Sequence, residues 1–140
     1  MTARVLVLCT GNSCRSQMAE GWFRHIGGDR IEVYSAGSRP AGRVDPRAIR
    51  VMAEAGVDIA GQRSKSMSEF LGQPFDSVIT VCDAAAEVCP VFPGPAHRIH
   101  WSLPDPARAS GGEGEQLAAF RQVRDSLRSY IERFVQDVGS

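Results

Sequence analysis

The chain has no charge excess of either sign. Sixteen basic residues balance sixteen acidic ones, so nothing in the composition calls for nucleic acid or a membrane surface as a partner. Lysine is nearly absent: fifteen of the sixteen basic residues are arginine, and Lys65 is the exception. Long apolar runs are missing as well. The longest early one, Val5 to Cys9, is too short for a signal segment or a membrane span, so the expected location is the cytosol. There is no internal repeat, linker or low-complexity stretch. Cysteine is scarce but present, at Cys9, Cys14, Cys82 and Cys89, and where thiols are kept reduced such residues point to chemistry rather than to structural bridges. What remains is an ordinary soluble composition, 43% apolar and 23% charged over 140 residues, enough for one domain with its own core.

Arg4–Leu8 is a continuous β-branched and leucine run, the mark of a central parallel strand buried on both faces. Turn residues follow, and then a helical pattern from Ser16, with Met18, Trp22, Phe23 and Ile26 on one face, ended by Gly27-Gly28. Ile31–Ser35 alternates as a second strand. Asp45-Pro46 caps a helix to about Ala55, with Ala48, Ile49, Met52 and Ala53 inward and Gly56 as its stop. Ser66-Met67-Ser68-Glu69 fits a capping box for a short helix through Leu71. Ser77–Val81 and Arg98–Trp101 read as the third and fourth strands. Leu117–Val138 reads as a long terminal helix packing on the sheet. The expectation is an α/β single domain, residues 1–140, with a central four-stranded parallel sheet flanked by helices.

Ligands in such sheets sit beyond the carboxyl ends of the strands. There, Cys9-Thr10-Gly11-Asn12-Ser13-Cys14-Arg15-Ser16 runs from strand one into a helix N-terminus, where free N–H groups and the helix dipole favour an anion. Gly11 and Asn12 tolerate left-handed angles, which lets successive amides of Thr10, Gly11, Asn12, Ser13 and Cys14 converge on one oxyanion. A thiol in that field ionises readily, which makes Cys9 a nucleophile. Arg15 can grip two oxygens of a tetrahedral anion, and Ser16 can hydrogen-bond the thiolate. Cys14 lies inside the cradle, where its amide matters rather than its sulfur. Arg39, Arg43, Arg47 and Arg108 read as solvated surface. Four cysteines with His97 and His100 could in principle ligate a metal, but there is no C-x2-C pair and the intervening lengths of four and six suit zinc poorly. No metal is expected.

Cys9–Glu20 resembles the anion loop of the low-molecular-weight tyrosine phosphatase superfamily, and Ser35-Ala36-Gly37 its second-strand motif. The phosphatases usually carry proline at the position of Gln17; Gln17-Met18-Ala19-Glu20-Gly21 is instead similar to the thioredoxin-coupled arsenate reductases. Val81–Pro90, with Cys82 and Cys89, resembles their redox helix, and Trp101–Arg108 their late acid loop, with Pro106-Ala107 where the phosphatases usually place tyrosines. The resemblance implies arsenate reduction by a three-cysteine relay. Cys9 attacks arsenate, Arg15 and the loop amides hold it, and Asp105 protonates the departing oxygen. Cys9–Cys82 and then Cys82–Cys89 disulfides form, and thioredoxin reduces the latter, although a glutaredoxin-type donor would read that disulfide similarly. It further implies no cofactor, phosphate or sulfate as mimics of arsenate, and a monomer. The alternative is a phosphatase acting on phosphotyrosine or small phosphomonoesters. Asn12, Glu20 and Ser35 match positions that bind potassium in some arsenate reductases. The fourth position is Lys65, where those members carry an acid and where an ammonium would take the ion's place. Because seven helical residues rise about 10.5 Å and a disulfide needs Cα atoms within ~7 Å, residues 82–89 are expected to be helical when reduced and unwound when oxidised.

Overall fold

The computed structural model describes residues 2–83 and 87–139. Four strands, β1 (Ala3–Cys9), β2 (Ile31–Gly37), β3 (Ser77–Thr80) and β4 (His97–His100), form one sheet in the order β2-β1-β3-β4. All pairings are parallel. β1 runs beside β2 from Ala3↔Ile31 to Cys9↔Gly37 and beside β3 from Val5↔Ser77 to Leu8↔Thr80. The central place of β1 explains its composition: Val5, Leu6, Val7 and Leu8 are wholly buried, which demands apolar side chains on both faces. The edge strand β4 instead exposes His97, Arg98 and His100, polar groups that discourage edge pairing.

The two faces are covered differently. Val5 and Val7 share a core with α1 (Arg15–Gly27), α2 (Pro46–Glu54) and α3 (Glu113–Gly139), whereas Leu6 and Leu8 meet Phe70, Phe75, Val78 and Phe92. The second face is therefore closed by aromatic residues from loops and from a 3-10 turn, Met67–Phe70. The expected capping box is not formed there. The Ser66 hydroxyl accepts from the Ser68 amide, and Glu69 pairs with Arg63 at 2.7 Å.

α1 is buried on nearly all sides from Arg15 to Phe23, more than a one-faced pattern implies. Gly21 makes this possible: a Cβ there would lie 2.5 Å from Ile59 Cγ2. In α2 the Asp45 cap accepts from the Arg47 amide. The helix is turned from the expected face, with Val51 buried and Ala53 exposed. α3 starts four residues before Leu117, where Glu115 accepts from the Gly112 amide. It lies chiefly along α1 and α2 rather than directly on the sheet. Its Tyr130 stacks on Trp101 at 5.0 Å, and its Phe134 meets Phe23 edge-on. No helix among the described residues is long and apolar enough to cross a membrane. The parallel sheet gathers the ends of β1, β2 and β3 at one edge, where the chemistry-bearing residues collect.

Candidate active site

β1 ends at Cys9 and α1 begins at Arg15. Between them Asn12 adopts the left-handed φ of 48°, the turn anticipated at Gly11-Asn12 falling on the asparagine. The carbonyls of Thr10, Gly11 and Ser13 accept from the amides of Arg39, Ala41 and Asp45 at 2.8–2.9 Å. With its carbonyls bound by the neighbouring loop, this segment can offer its N–H groups to an anion, as in a backbone nest. The Asn12 amide donates to Cys9 Sγ at 3.3 Å, and Ser16 Oγ lies 2.8 Å from the same sulfur.

A buried polar network holds this loop from behind. Asn12 Nδ2 donates to Ser16 Oγ at 2.8 Å and to Ser35 Oγ at 3.0 Å. Ser35 in turn donates to Glu20 Oε1 at 2.6 Å. Lys65 Nζ reaches Ser35 Oγ at 3.4 Å, Glu20 Oε1 at 3.6 Å and the Arg63 carbonyl at 3.0 Å. Its ammonium thus sits among the residues anticipated around it, and burial holds its pKa below the ordinary lysine value. Gln17 Nε2 donates to the Asn12 carbonyl, to Asn12 Oδ1 and to the Arg63 carbonyl at 2.9–3.0 Å. Gly37 explains the Ser35-Ala36-Gly37 motif: a Cβ there would run into the Thr10 carbonyl oxygen and lie 3.0 Å from the Asn12 amide nitrogen.

Cys9, Thr10, Gly11, Ser13, Cys14, Arg15, Glu87 and Asp105 line a cleft of about 210 Å³ with Ala107 and Arg108. Arg15 is anchored by the Leu103 carbonyl at 3.0 Å. Its terminal nitrogens donate to both oxygens of Glu87 at 2.9 Å. Its Nε is buried without a hydrogen-bond partner among the described residues. Burial raises the Glu87 pKa, but hydrogen bonds from Arg15 and Thr10 outweigh it and hold the carboxyl below its usual range. Asp105 caps the 3-10 turn Pro106–Arg108 by accepting from the Ala107 amide. Its other oxygen lies 3.9 Å from Arg15, which places a carboxyl at the cleft wall.

The Cys14 thiol is pushed up to about 12, mainly by burial. It stays protonated at neutral pH, which suits a residue contributing its amide alone. Val81 continues the β3 ladder by donating to the Leu8 carbonyl. Cys82 therefore follows one residue beyond the neighbour of Cys9, on strands ~4.8 Å apart. Cys82 is buried and joined to the part-exposed Cys89 by a disulfide with Cα atoms 5.9 Å apart. Cys82, Asp83 and Glu87–Phe92 are non-helical, as expected for an oxidised pair. The middle of that segment, residues 84–86, lies outside the described residues. Cys82, Cys89 and His100 bring ligand-type atoms within 4.8 Å of one another, a grouping that sequence spacing did not indicate. Both sulfurs are engaged in the disulfide.

Residues 4–140 match the family described as low molecular weight phosphotyrosine protein phosphatase. The chain belongs to this family. Within it, the chain is similar to arsenate reductases. That of Halalkalibacterium halodurans is 47% identical over 132 residues, covering 94% of each chain. A solved arsenate reductase in its oxidized state matches with a TM-score of 0.82 at 33% identity, over 98% of this chain and 99% of that one. A thioredoxin-dependent arsenate reductase of Corynebacterium glutamicum gives a TM-score of 0.75 at 27% identity, over 99% of this chain and 62% of the other. The family resemblance carried by Cys9–Gly21 and by the Cys82/Cys89 segment is borne out.

Against this family frame, most anticipated residues converge. Cys9, Thr10, Gly11, Ser13, Cys14, Arg15 and Asp105 share the cleft. Asn12 and Ser16 stand buried behind it, and Cys89, beside Thr10, Glu87 and Arg108 of the cleft, is joined to the buried Cys82. Arg108 also lines the cleft. Arg47 is not simply solvated: it pairs with Asp45 at 2.8 Å and lies over the Phe120 ring. Two participants were missed. In the sequence Gln17 stands out only as a departure from the phosphatases. Glu87 had no signal beyond being an acid between the two cysteines.

Proposed function

We propose that this chain reduces arsenate to arsenite through Cys9, Cys82 and Cys89 and is recycled by thioredoxin. The observation that carries this reading is the Cys82–Cys89 disulfide at the same sheet edge as a cleft built from Cys9, Arg15 and Asp105. A phosphatase needs one nucleophile there, whereas reducing As(V) to As(III) takes two electrons, which a thiol pair supplies.

The steps follow from the placement of these groups. The Cys9 thiolate, hydrogen-bonded by Ser16 and the Asn12 amide, attacks the arsenic atom. Arg15 and the loop amides hold the oxygens and stabilise their growing charge. Asp105 gives a proton to the departing oxygen, which leaves as water. Cys82 then attacks Cys9 Sγ. The S–As bonding pair goes to arsenic, arsenite departs, and a Cys9–Cys82 disulfide remains. Cys89 attacks Cys82 Sγ and frees Cys9 as a thiolate. Two electrons have passed from the Cys82/Cys89 pair to arsenic.

The resulting disulfide suits a protein dithiol donor. Cys89 is the accessible sulfur, and beside it Val88 and Val91 are 88% and 77% exposed, an apolar rim of the kind that protein contacts cover. Phosphate and sulfate, having the same tetrahedral shape as arsenate, act as mimics. The chain works as a monomer in the cytosol.

The test is NADPH oxidation with arsenate, thioredoxin and thioredoxin reductase. Arsenate-dependent turnover, abolished in Cys82→Ser and Cys89→Ser, is expected. Absence of turnover together with rapid p-nitrophenyl phosphate hydrolysis untouched by either substitution would replace this reading with a phosphatase.

A further inference from the structure

The relay has no use for Glu87, yet this side chain is built into the oxyanion cleft. Its two oxygens accept from the two terminal nitrogens of Arg15 at 2.9 Å, and Oε1 also accepts from Thr10 Oγ1 at 2.9 Å. The Glu87 side chain is 11% exposed and that of Arg15 4%. A carboxylate presents the same two-oxygen edge to a guanidinium fork as a tetrahedral oxyanion does. While Glu87 holds both terminal nitrogens, Arg15 has only its unpartnered Nε edge left for an oxyanion, and the carboxylate adds a like charge to the same cleft, so Glu87 and the substrate compete.

What lets Glu87 reach Arg15 is the closed loop. Glu87 lies two residues before Cys89, its amide donates to the Asp83 carbonyl at 2.9 Å, and the disulfide draws the Cα atoms of Cys82 and Cys89 to 5.9 Å. A helix over the same residues separates those two ends by about 10.5 Å, a different path that carries Glu87 with it.

We infer that Glu87 is an internal carboxylate ligand of the oxyanion cleft, seated on Arg15 when Cys82 and Cys89 are joined and withdrawn when they are reduced. Resting on the arsenate reductase reading for the meaning of the disulfide, this makes substrate binding conditional on the enzyme holding its two electrons. Once arsenite has left and the disulfide has formed, Glu87 takes the anion's place. The spent enzyme then neither traps a new oxyanion nor leaves Arg15 uncompensated in a buried site.

The test measures inorganic phosphate binding by calorimetry to the full chain in its oxidised and dithiol-reduced forms, with thiol titration to verify each. The oxidised wild type is expected to bind phosphate at least about tenfold more weakly than the reduced form, because an internal competitor lowers the competent fraction. Oxidised Glu87→Ala is expected to recover the reduced-form affinity to within about twofold. Equal affinities for the two wild-type forms would overturn the inference, and that comparison requires no variant to fold. So would an oxidised Glu87→Ala as weak as oxidised wild type, which would make the loop itself the obstacle. Arsenate turnover on the same samples separates the claims. Turnover with redox-independent phosphate affinity removes Glu87's role and leaves the reductase. Redox-dependent affinity lost in Glu87→Ala, without turnover, supports Glu87's role and removes the reductase.

Discussion

Replacing Gly37 by alanine puts one methyl group into space the anion loop already fills. Gly37 pairs with Cys9 in the sheet register. Its added Cβ would meet the Thr10 carbonyl oxygen and lie 3.0 Å from the Asn12 nitrogen and 3.1 Å from Asn12 Cβ. None of these is the loose end of a flexible side chain. The Thr10 carbonyl is bound by the Arg39 amide, and the Asn12 amide by Cys9 Sγ. The loop itself must shift, by several tenths of an ångström to about 1 Å. Misplacing reacting groups by about 1 Å can cost ~10²-fold, and overpacking a filled site costs ~1–3 kcal/mol. The expected result is a kcat/KM for arsenate ~10–100-fold below wild type, with a Tm lowered by ~3–10 °C. Gly61→Ala is the control, since nothing lies within 4 Å of its Cβ position; it should leave both quantities unchanged. The thioredoxin-coupled assay and a thermal melt read the two effects. A Gly37→Ala enzyme with wild-type kcat/KM and Tm would refute the claim that this close approach shapes the loop.

Other outcomes follow from the same geometry. Arg15→Lys keeps the charge but loses the planar fork, so kcat/KM should fall ~10²-fold or more while far-UV circular dichroism is retained; near-normal turnover would show that a point charge suffices. Gln17→Ala strips the Asn12 and Arg63 carbonyls of a shared donor, and urea unfolding should show a loss of ~1–3 kcal/mol; an unchanged midpoint would mean that water replaces the amide. Glu54 ties α2 to α3 through Arg121 and Arg124, and chiefly the Arg121 hydrogen bond lowers its pKa from 4.5 to about 2. A carboxylate lowered on folding adds stability that is complete above its unfolded pKa and lost as pH falls through its folded one. Wild type should therefore lose stability from pH 4.5 down to about 2, and Glu54→Gln should flatten that part of the profile. An identical slope in the variant would assign the acid sensitivity elsewhere.

β1 was readable because burial on both faces leaves its mark on consecutive residues, Val5 to Leu8. The anion loop was readable because cradling an oxyanion demands particular residue types at fixed spacing: a thiol at Cys9, a left-handed position at Asn12 and a guanidinium at Arg15. Local signals failed where tertiary packing chose between similar options. The start of α3 is polar, Glu113-Gly114-Glu115-Gln116, and carries no apolar period. α2 is turned so that Val51, not Ala53, faces the core, a choice made by α1 and α3. Arg47 reads as a surface charge until Phe120 is folded beneath it. Glu87 meets Arg15 across 72 residues of chain. Nothing in the order of residues announces that meeting.

The central claim is the relay, and a single turnover tests it most directly. Fully reduced enzyme is mixed with one equivalent of arsenate and no external reductant, arsenite is counted, and the disulfides are mapped by mass spectrometry. The expected result is one arsenite per chain, a Cys82–Cys89 disulfide, and free Cys9 and Cys14, with Cys89→Ser arrested at a Cys9–Cys82 disulfide. Arsenite release without any disulfide between these three cysteines, or a disulfide that includes Cys14, would contradict it.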